Sequence, residues 1–171
     1  MSGCAGFYEE TMDGKTWTSV DAMASEKEVS DFMFGLIRLL KPRVVLETGT
    51  YFGDTTKPMA EAMRENNHMS QLHTCDTNLE YIQAASKRMG GVNFHVCTGE
   101  ELCRNTCDVD LAFLDSSGDR LAEAKALRMK PGGIVVLHDA RRPVKEAIEK
   151  ELGWKSIFIG TPRGLAIFQV Q

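Results

Sequence analysis

VVLETGTYFGDTT, residues 44–56, decides how the rest of the chain is read. The apolar run Val44-Val45-Leu46 predicts a short buried strand that ends on Glu47. Gly49 and Gly53 follow, and then the hydroxyls of Thr55 and Thr56. Two readings fit this pattern: a tight strand-to-helix turn, or a turn whose backbone lies against a nucleotide-type ligand. Glycine serves both, because it permits positive φ and close backbone approach.

Working outward, Ser25 to Leu40 reads as a helix. Ser25 is the expected N-cap, and Glu28 three residues on completes a capping-box pattern. Val29, Phe32, Met33, Leu36, Ile37 and Leu40 recur at helical spacing, and Pro42 stops the run. After the turn the chain alternates. Helices are expected at Lys57–Glu65, Leu79–Met89, Asp119–Met129 and Pro143–Leu152, and a short helix or turn at Glu100–Arg104. Strands are expected at Gln71–Cys75, Val92–Val96, Val109–Leu114 and Gly133–His138. Trp154–Ile159 and Leu165–Val170 flank GTPRG and read as a closing hairpin. Alternating strands and helices predict an α/β fold, a doubly wound and mostly parallel sheet. The closing hairpin adds an antiparallel strand at or near one edge. Met1 to Ala24 is expected to be irregular, a lid over the single domain formed by residues 25–171.

Composition narrows the function. A net charge of -4 and the absence of a basic stripe argue against a nucleic-acid partner. The apolar runs are far too short to span a bilayer, so no membrane partner is expected. The start, MSGCAGFYEE, lacks a basic region followed by an apolar stretch, which does not suit a secretory signal. The five cysteines lack paired zinc spacing and read as reduced thiols of a cytoplasmic protein. The oligomeric state is left open, a homodimer included.

In an open parallel sheet, ligands bind beyond the carboxyl ends of the strands. Glu47, Asp76, Asp115 and Asp139 all stand at such ends, with Gly99-Glu100 after the strand that lacks an acid. Like charges gathered at one rim repel unless donors, water or a cation intervene. Each acid alone has a plain reading: Asp76, followed by Thr77-Asn78, suits a helix cap. Together they point to a ligand, with Asp76 placed where a ribose diol is gripped. The turn reads ExGxxxG instead of the dinucleotide fingerprint GxGxxG, and Glu47 is a poor neighbour for pyrophosphate. No GxxxxGK[ST] loop is present. A ligand with cationic and hydroxyl groups and no phosphate fits better, and S-adenosylmethionine has those features.

With these residues assembled, the chain from about Ser25 onward resembles a class I S-adenosylmethionine-dependent methyltransferase. It is most similar to the small-molecule O-methyltransferases related to catechol O-methyltransferase. The resemblance is carried by VLETGTYFGDTT, HTCDTN, CTGEEL, VDLAFLDSSGD, RMKPGGIVVLHDARRP and the closing GWKSIFIGTPRGLAIFQV, in that order. It implies that Gly49, Thr50 and Gly53 wrap the methionine part of the donor and that Thr55 binds its carboxylate or amine. It further implies that Glu47 orients the amine or a water, that Asp76 with Thr77 takes the ribose, and that Gly99 with Glu100 or Glu101 lies at the adenine. Asp115 would sit near the sulfonium and the acceptor.

In metal-dependent relatives, acids matching Asp115 and Asp139, with a following Asn, hold magnesium. Here Ala140 replaces the Asn, and Ser116-Ser117-Gly118 stand where a basic residue is expected. Mg²⁺ is therefore an open expectation, with Asp115 and Asp139 its ligands. Strand alternation puts His138 and Asp139 on opposite faces. His138 is either a packed core residue or, with Asp115 and Asp139, catalytic, taking the acceptor's proton with a pKa near neutrality. His68, His73 and His95 have no evident partners. The implied function is methyl transfer to a small-molecule acceptor, most simply O-methylation. The alternative is a protein that binds S-adenosylmethionine or S-adenosylhomocysteine without chemistry. A nucleic-acid methyltransferase is disfavoured, since the acidic-Pro-Pro-aromatic motif is missing.

Overall fold

The computed structural model describes residues 8–66 and 69–171. Part of the segment expected to be irregular is ordered. Strands β1 (Tyr8–Met12) and β2 (Lys15–Ser19) form an antiparallel hairpin. Asp13 and Gly14, both at positive φ, make its turn. Residues 1–7 of that expectation, and His68, lie outside the described residues.

Helix α1 (Lys27–Leu40) buries Val29, Met33 and Ile37 on one stripe. Its start differs from the expected capping box. Glu26 is the N-cap and makes no side-chain cap bond, because Ser25 and Glu26 are both engaged elsewhere, as described below. The remaining elements follow the predicted alternation: β3 (Val44–Thr48), α2 (Thr56–Asn66), β4 (Gln71–Asp76), α3 (Leu79–Arg88), β5 (Val92–Val96), α4 (Gly99–Asn105), β6 (Val109–Leu114), α5 (Arg120–Ala126), β7 (Met129–His138), α6 (Arg142–Leu152), β8 (Lys155–Ile159) and β9 (Leu165–Gln169). Helix α5 is shorter than expected and β7 longer. A register shift between Val109 and Leu111 gives β7 extra residues before Ile134, so Met129 to Gly133 extend the strand.

The main sheet has seven strands in the order β5-β4-β3-β6-β7-β9-β8. The first five are parallel, while β9 runs antiparallel to both β7 and β8. Strand β9 lies inside the sheet and β8 forms its edge. Successive residues of the central strands serve opposite cores. Val45, Leu111 and Phe113 pack with α1 and α2, whereas Leu46, Ala112 and Leu114 pack with residues of α4, α5 and α6. Continuous apolar strands buried on both faces are what a covered parallel sheet requires. Strand order reverses between β3 and β6, so the connections leaving their carboxyl ends turn to opposite faces and leave a crevice.

Candidate active site

A cavity of about 270 Å³ opens at that crevice. A smaller hollow of about 110 Å³ continues it towards β5. Gly49, Asp76, Thr77, Ser116 and Ser117 line both, so the two make one trough across the strand ends.

One half of the trough is built from β3, β4 and the turn between β3 and α2. Gly49 and Thr50 donate their amides to the Cys75 carbonyl, tying the turn to β4. Gly49 has φ +88, and a Cβ there would lie 2.5 Å from the Asp115 carbonyl oxygen. Its need for glycine therefore comes first from the close approach of β3 and β6. Gly53 has φ +82, and a Cβ would meet Met89 and Ala85 of the α3 region, so this glycine packs away from the cavity. Asp76 accepts from the Tyr51 amide at 3.0 Å and the Asn78 amide at 2.9 Å, which fix its carboxylate in the trough wall. Asn78 itself caps α3. Tyr51 and Tyr81 stack edge-to-face beside it, and both line the cavity. Thr55 also lines the cavity and shares a hydrogen bond of 3.2 Å with Ser30.

Further expected donor-side residues also lie elsewhere. Glu47 is buried under the turn, where Thr56 and Thr74 donate hydroxyl hydrogen bonds to it at 2.5 and 2.6 Å. Burial pushes its pKa up to about 8 despite those donors, so it is a neutral acid at pH 7. Its side chain leaves the strand on the face of α2, away from the trough. Glu100 pairs with Arg104 on the outer surface of α4. Glu101 completes a capping box with Thr98. Gly99 does line the small hollow, and a Cβ on it would collide with Glu123 at 2.0 Å. Glu123 is buried and accepts from Thr48 at 2.9 Å and from Ser116. It was not legible beforehand, because a glutamate in a helix carries no signal of burial.

The other half of the trough is an ion-pair network. His138 is fully buried, with Nδ1 2.7 Å from Asp115 and Nε2 2.6 Å from Glu26. Two carboxylates on two ring nitrogens require both nitrogens to donate, which makes the ring an imidazolium. Burial alone would lower its pKa, but the charge and hydrogen bond of Asp115, with those of Glu26, push it up to about 9. Burial would raise Glu26, yet the His138 hydrogen bond and charge hold its carboxyl below the ordinary range. A neutral histidine with pKa near 6.5 and a free lone pair is thus not what the fold provides. Ser25 donates to the other Asp115 oxygen at 2.5 Å. Arg120 donates to the carbonyls of Ser116, Leu114 and His138 and stitches the ends of β6 and β7 together.

Asp139 corrects the expectation of opposite faces. It has left the strand with φ 50, so alternation no longer governs its direction. One ligand atom from each of Asp115, His138 and Asp139 lies within 4.8 Å of the others, a spacing that suits a metal ion. The donors do not suit one. Both His138 nitrogens are taken, and both Asp139 oxygens accept from Arg163, at 2.8 Å from Nε and 2.7 Å from Nη2. Neither Asp115 nor Asp139 is unpaired: three carboxylates (Glu26, Asp115, Asp139) face three cations (His138, Arg120, Arg163). Arg163 was read only as part of a hairpin turn. The missing basic residue after Asp115 was the signal that a cation had to come from elsewhere.

His73 and His95 also have a partner after all. Their rings stack, with Nδ1 to Nε2 at 3.2 Å, where β4 pairs with β5, and neither lines the trough. The described cysteines, Cys75, Cys97, Cys103 and Cys107, are free. Among the described residues no helix is long and apolar enough to cross a membrane.

A doubly wound sheet with a seventh antiparallel strand and an acid-lined trough at its switch point defines a fold for a nucleoside-bearing ligand. Residues 46–140, more than half of the chain, match the family profile described as "Methyltransferase domain", and the chain belongs to that methyltransferase family. Among solved structures, the O-methyltransferase from Bacillus cereus in complex with SAH aligns with a TM-score of 0.75 at 15% identity, over 88% of this chain and 84% of that one. A methyltransferase from Geobacter sulfurreducens aligns at 0.73 and 14% identity, over 86% and 81%. The O-methyltransferase TomG from Streptomyces achromogenes, in complex with SAM, aligns at 0.69 and 20% identity, over 87% and 82%. No curated protein sequence matches the chain.

Proposed function

We propose that the chain transfers a methyl group from S-adenosylmethionine to an oxygen of a small-molecule acceptor. The observation that supports this reading is the division of the trough. Asp76, held by two backbone amides, keeps free lone pairs for a ribose diol, and the small hollow beyond it fits a base. Gly49, Thr50 and Thr55 are then left for the methionine portion, which would put the sulfonium between the turn and Asp115. The donor supplies an activated methyl group. The protein's part is to align donor and acceptor and to exclude water. Residues 8–24 would help in the second task, as Met23 and Ala24 wall the cavity and Asp21 accepts from the Tyr51 hydroxyl at 3.0 Å. The solved structures named above in complex with SAM or SAH add support.

Calorimetry with S-adenosylhomocysteine and NAD side by side tests this reading, and only the first should bind. One observation favours a second reading, a binding protein without chemistry: among the described residues no free base faces the acceptor, since both His138 nitrogens are engaged by carboxylates. Incubation with labelled donor and a panel of phenols, carboxylic acids and amines separates the two.

A further inference from the structure

Resting on that reading, we propose that the guanidinium of Arg163 is the resident cation of the acceptor side, and that the acceptor is a carboxylate that enters already ionised. The hairpin turn places Arg163. The Gly164 amide bonds the Thr161 carbonyl and hydroxyl, and the Gly164 carbonyl accepts from the Ala140 amide at 3.0 Å. The turn is thereby fastened to the loop that carries Asp139. Arg163 then makes a forked pair with Asp139 and donates from Nη1 to the Ala24 carbonyl at 3.0 Å. Planar forked pairs of this kind fix geometry as well as charge.

A guanidinium has five N–H donors. Those contacts use one on each nitrogen, which leaves one on Nη1 and one on Nη2. The side chain is 22% exposed and lines the cavity beside Asp115 and Ser25. Two N–H groups on neighbouring nitrogens of one guanidinium suit a two-oxygen anion. A metal would have to displace the fork from Asp139 and a ring proton from His138. The same pairings explain why no base is on offer. A carboxylate brings no proton to remove at neutral pH. One oxygen lone pair forms the new O–C bond, the bond from carbon to sulfur breaks, and its electron pair stays on sulfur as a neutral thioether. The carboxylate becomes an ester, and charge balances without a proton acceptor.

Two titrations test this, each read with and without S-adenosylhomocysteine, whose own calorimetry tests the proposed function separately. Mn²⁺ followed by electron paramagnetic resonance should find no site tighter than about millimolar in the wild type. Arg163→Met should gain a site at least roughly tenfold tighter, because Asp139 loses its cation. A saturable micromolar Mn²⁺ site in the wild type overturns the proposal, whatever the variant does. Acetate followed on the Arg163 Nε–H resonance, assigned by its loss in Arg163→Lys, should give a saturable shift. An acetate titration that leaves this resonance unmoved also overturns it.

Discussion

The two halves of the trough hold their carboxylates in opposite ways. On the donor side, Asp76 is fixed by backbone amides that carry no net charge, and Glu47 is neutral beneath the turn. On the acceptor side, Glu26, Asp115 and Asp139 are each held by a charged partner. Amides hold an acid still without consuming its charge, so it remains available to a ligand's hydroxyls. Ion pairs consume the charge and leave a rigid, nearly neutral wall. The donor side is thus arranged to bind and the acceptor side to position.

Removing one member of the charged side should produce the largest change. His138→Ala leaves Glu26 and Asp115 without their shared cation, and losses of about 3–5 kcal/mol are usual when a buried pair is broken from one side. Urea denaturation measures this, and a loss below about 1 kcal/mol would show that the network contributes little. The pH dependence has a definite sign. The folded pKa of His138, about 9, lies above its ordinary 6.5, so its stabilisation is complete below about 6.5 and is lost as pH rises through 9. Wild type should therefore weaken between pH 6.5 and 9, and His138→Gln should show a flatter profile there.

Gly49→Val comes next. It places a side chain 2.5 Å from the Asp115 carbonyl oxygen at φ +88, with strain on the order of 1–3 kcal/mol. The melting temperature should fall, and binding of S-adenosylhomocysteine should vanish, because β3 and β6 must part. Retained binding would mean that the crevice tolerates spreading. Asp76→Ala should leave stability almost unchanged yet weaken S-adenosylhomocysteine at least roughly tenfold, as charge-assisted hydrogen bonds are worth about 1.5–3 kcal/mol each. Unchanged affinity in calorimetry would break the division between a binding half and a positioning half.

The smallest effect should come from Glu47→Gln. Its folded pKa of about 8 exceeds the ordinary 4.5, so its contribution is most favourable below 4.5 and declines as pH rises through 8. The amide should match wild type in acid and equal or exceed it above pH 8. Denaturation midpoints at pH 5 and pH 9 decide this, and a variant weaker at both would show that glutamine cannot satisfy Thr56 and Thr74.

The same two halves explain what could be read in advance. The donor side joins residues near in sequence: Glu47 meets Thr56 and Thr74, and Tyr51 meets Asp76. A strand, a turn and the next strand end sit within one legible stretch. Even there, the facing of Glu47 escaped, because the strand is apolar on both sides and gives no alternation to read. The acceptor side joins Ser25 to Asp115, Glu26 to His138 and Ala24 to Arg163, across most of the chain. No local pattern announces such pairs. Ser25 and Glu28 spelled a capping box, and the tertiary demand of Asp115 overrode it. The alternation of strands and helices and the closing hairpin were legible because periodicity and turn chemistry are local.

Strand β9 is synthesised after β8 yet lies between β8 and β7. Until it arrives, β7 is an open edge with Val135, Val136 and Leu137 beside unpaired backbone groups, the kind of surface on which chains aggregate. The hairpin cannot add strand by strand, since β8 has no place in the sheet before β9 does. It must dock as a unit, and that docking carries Arg163 to Asp139. Pulse-labelled hydrogen exchange should therefore find the β7 amides facing β9 protected late and together with those of the turn; early protection of either alone would contradict this order. A nascent chain that has not closed its sheet thus has no finished acceptor wall, and completion of the barrier to aggregation is also the maturation step of the site.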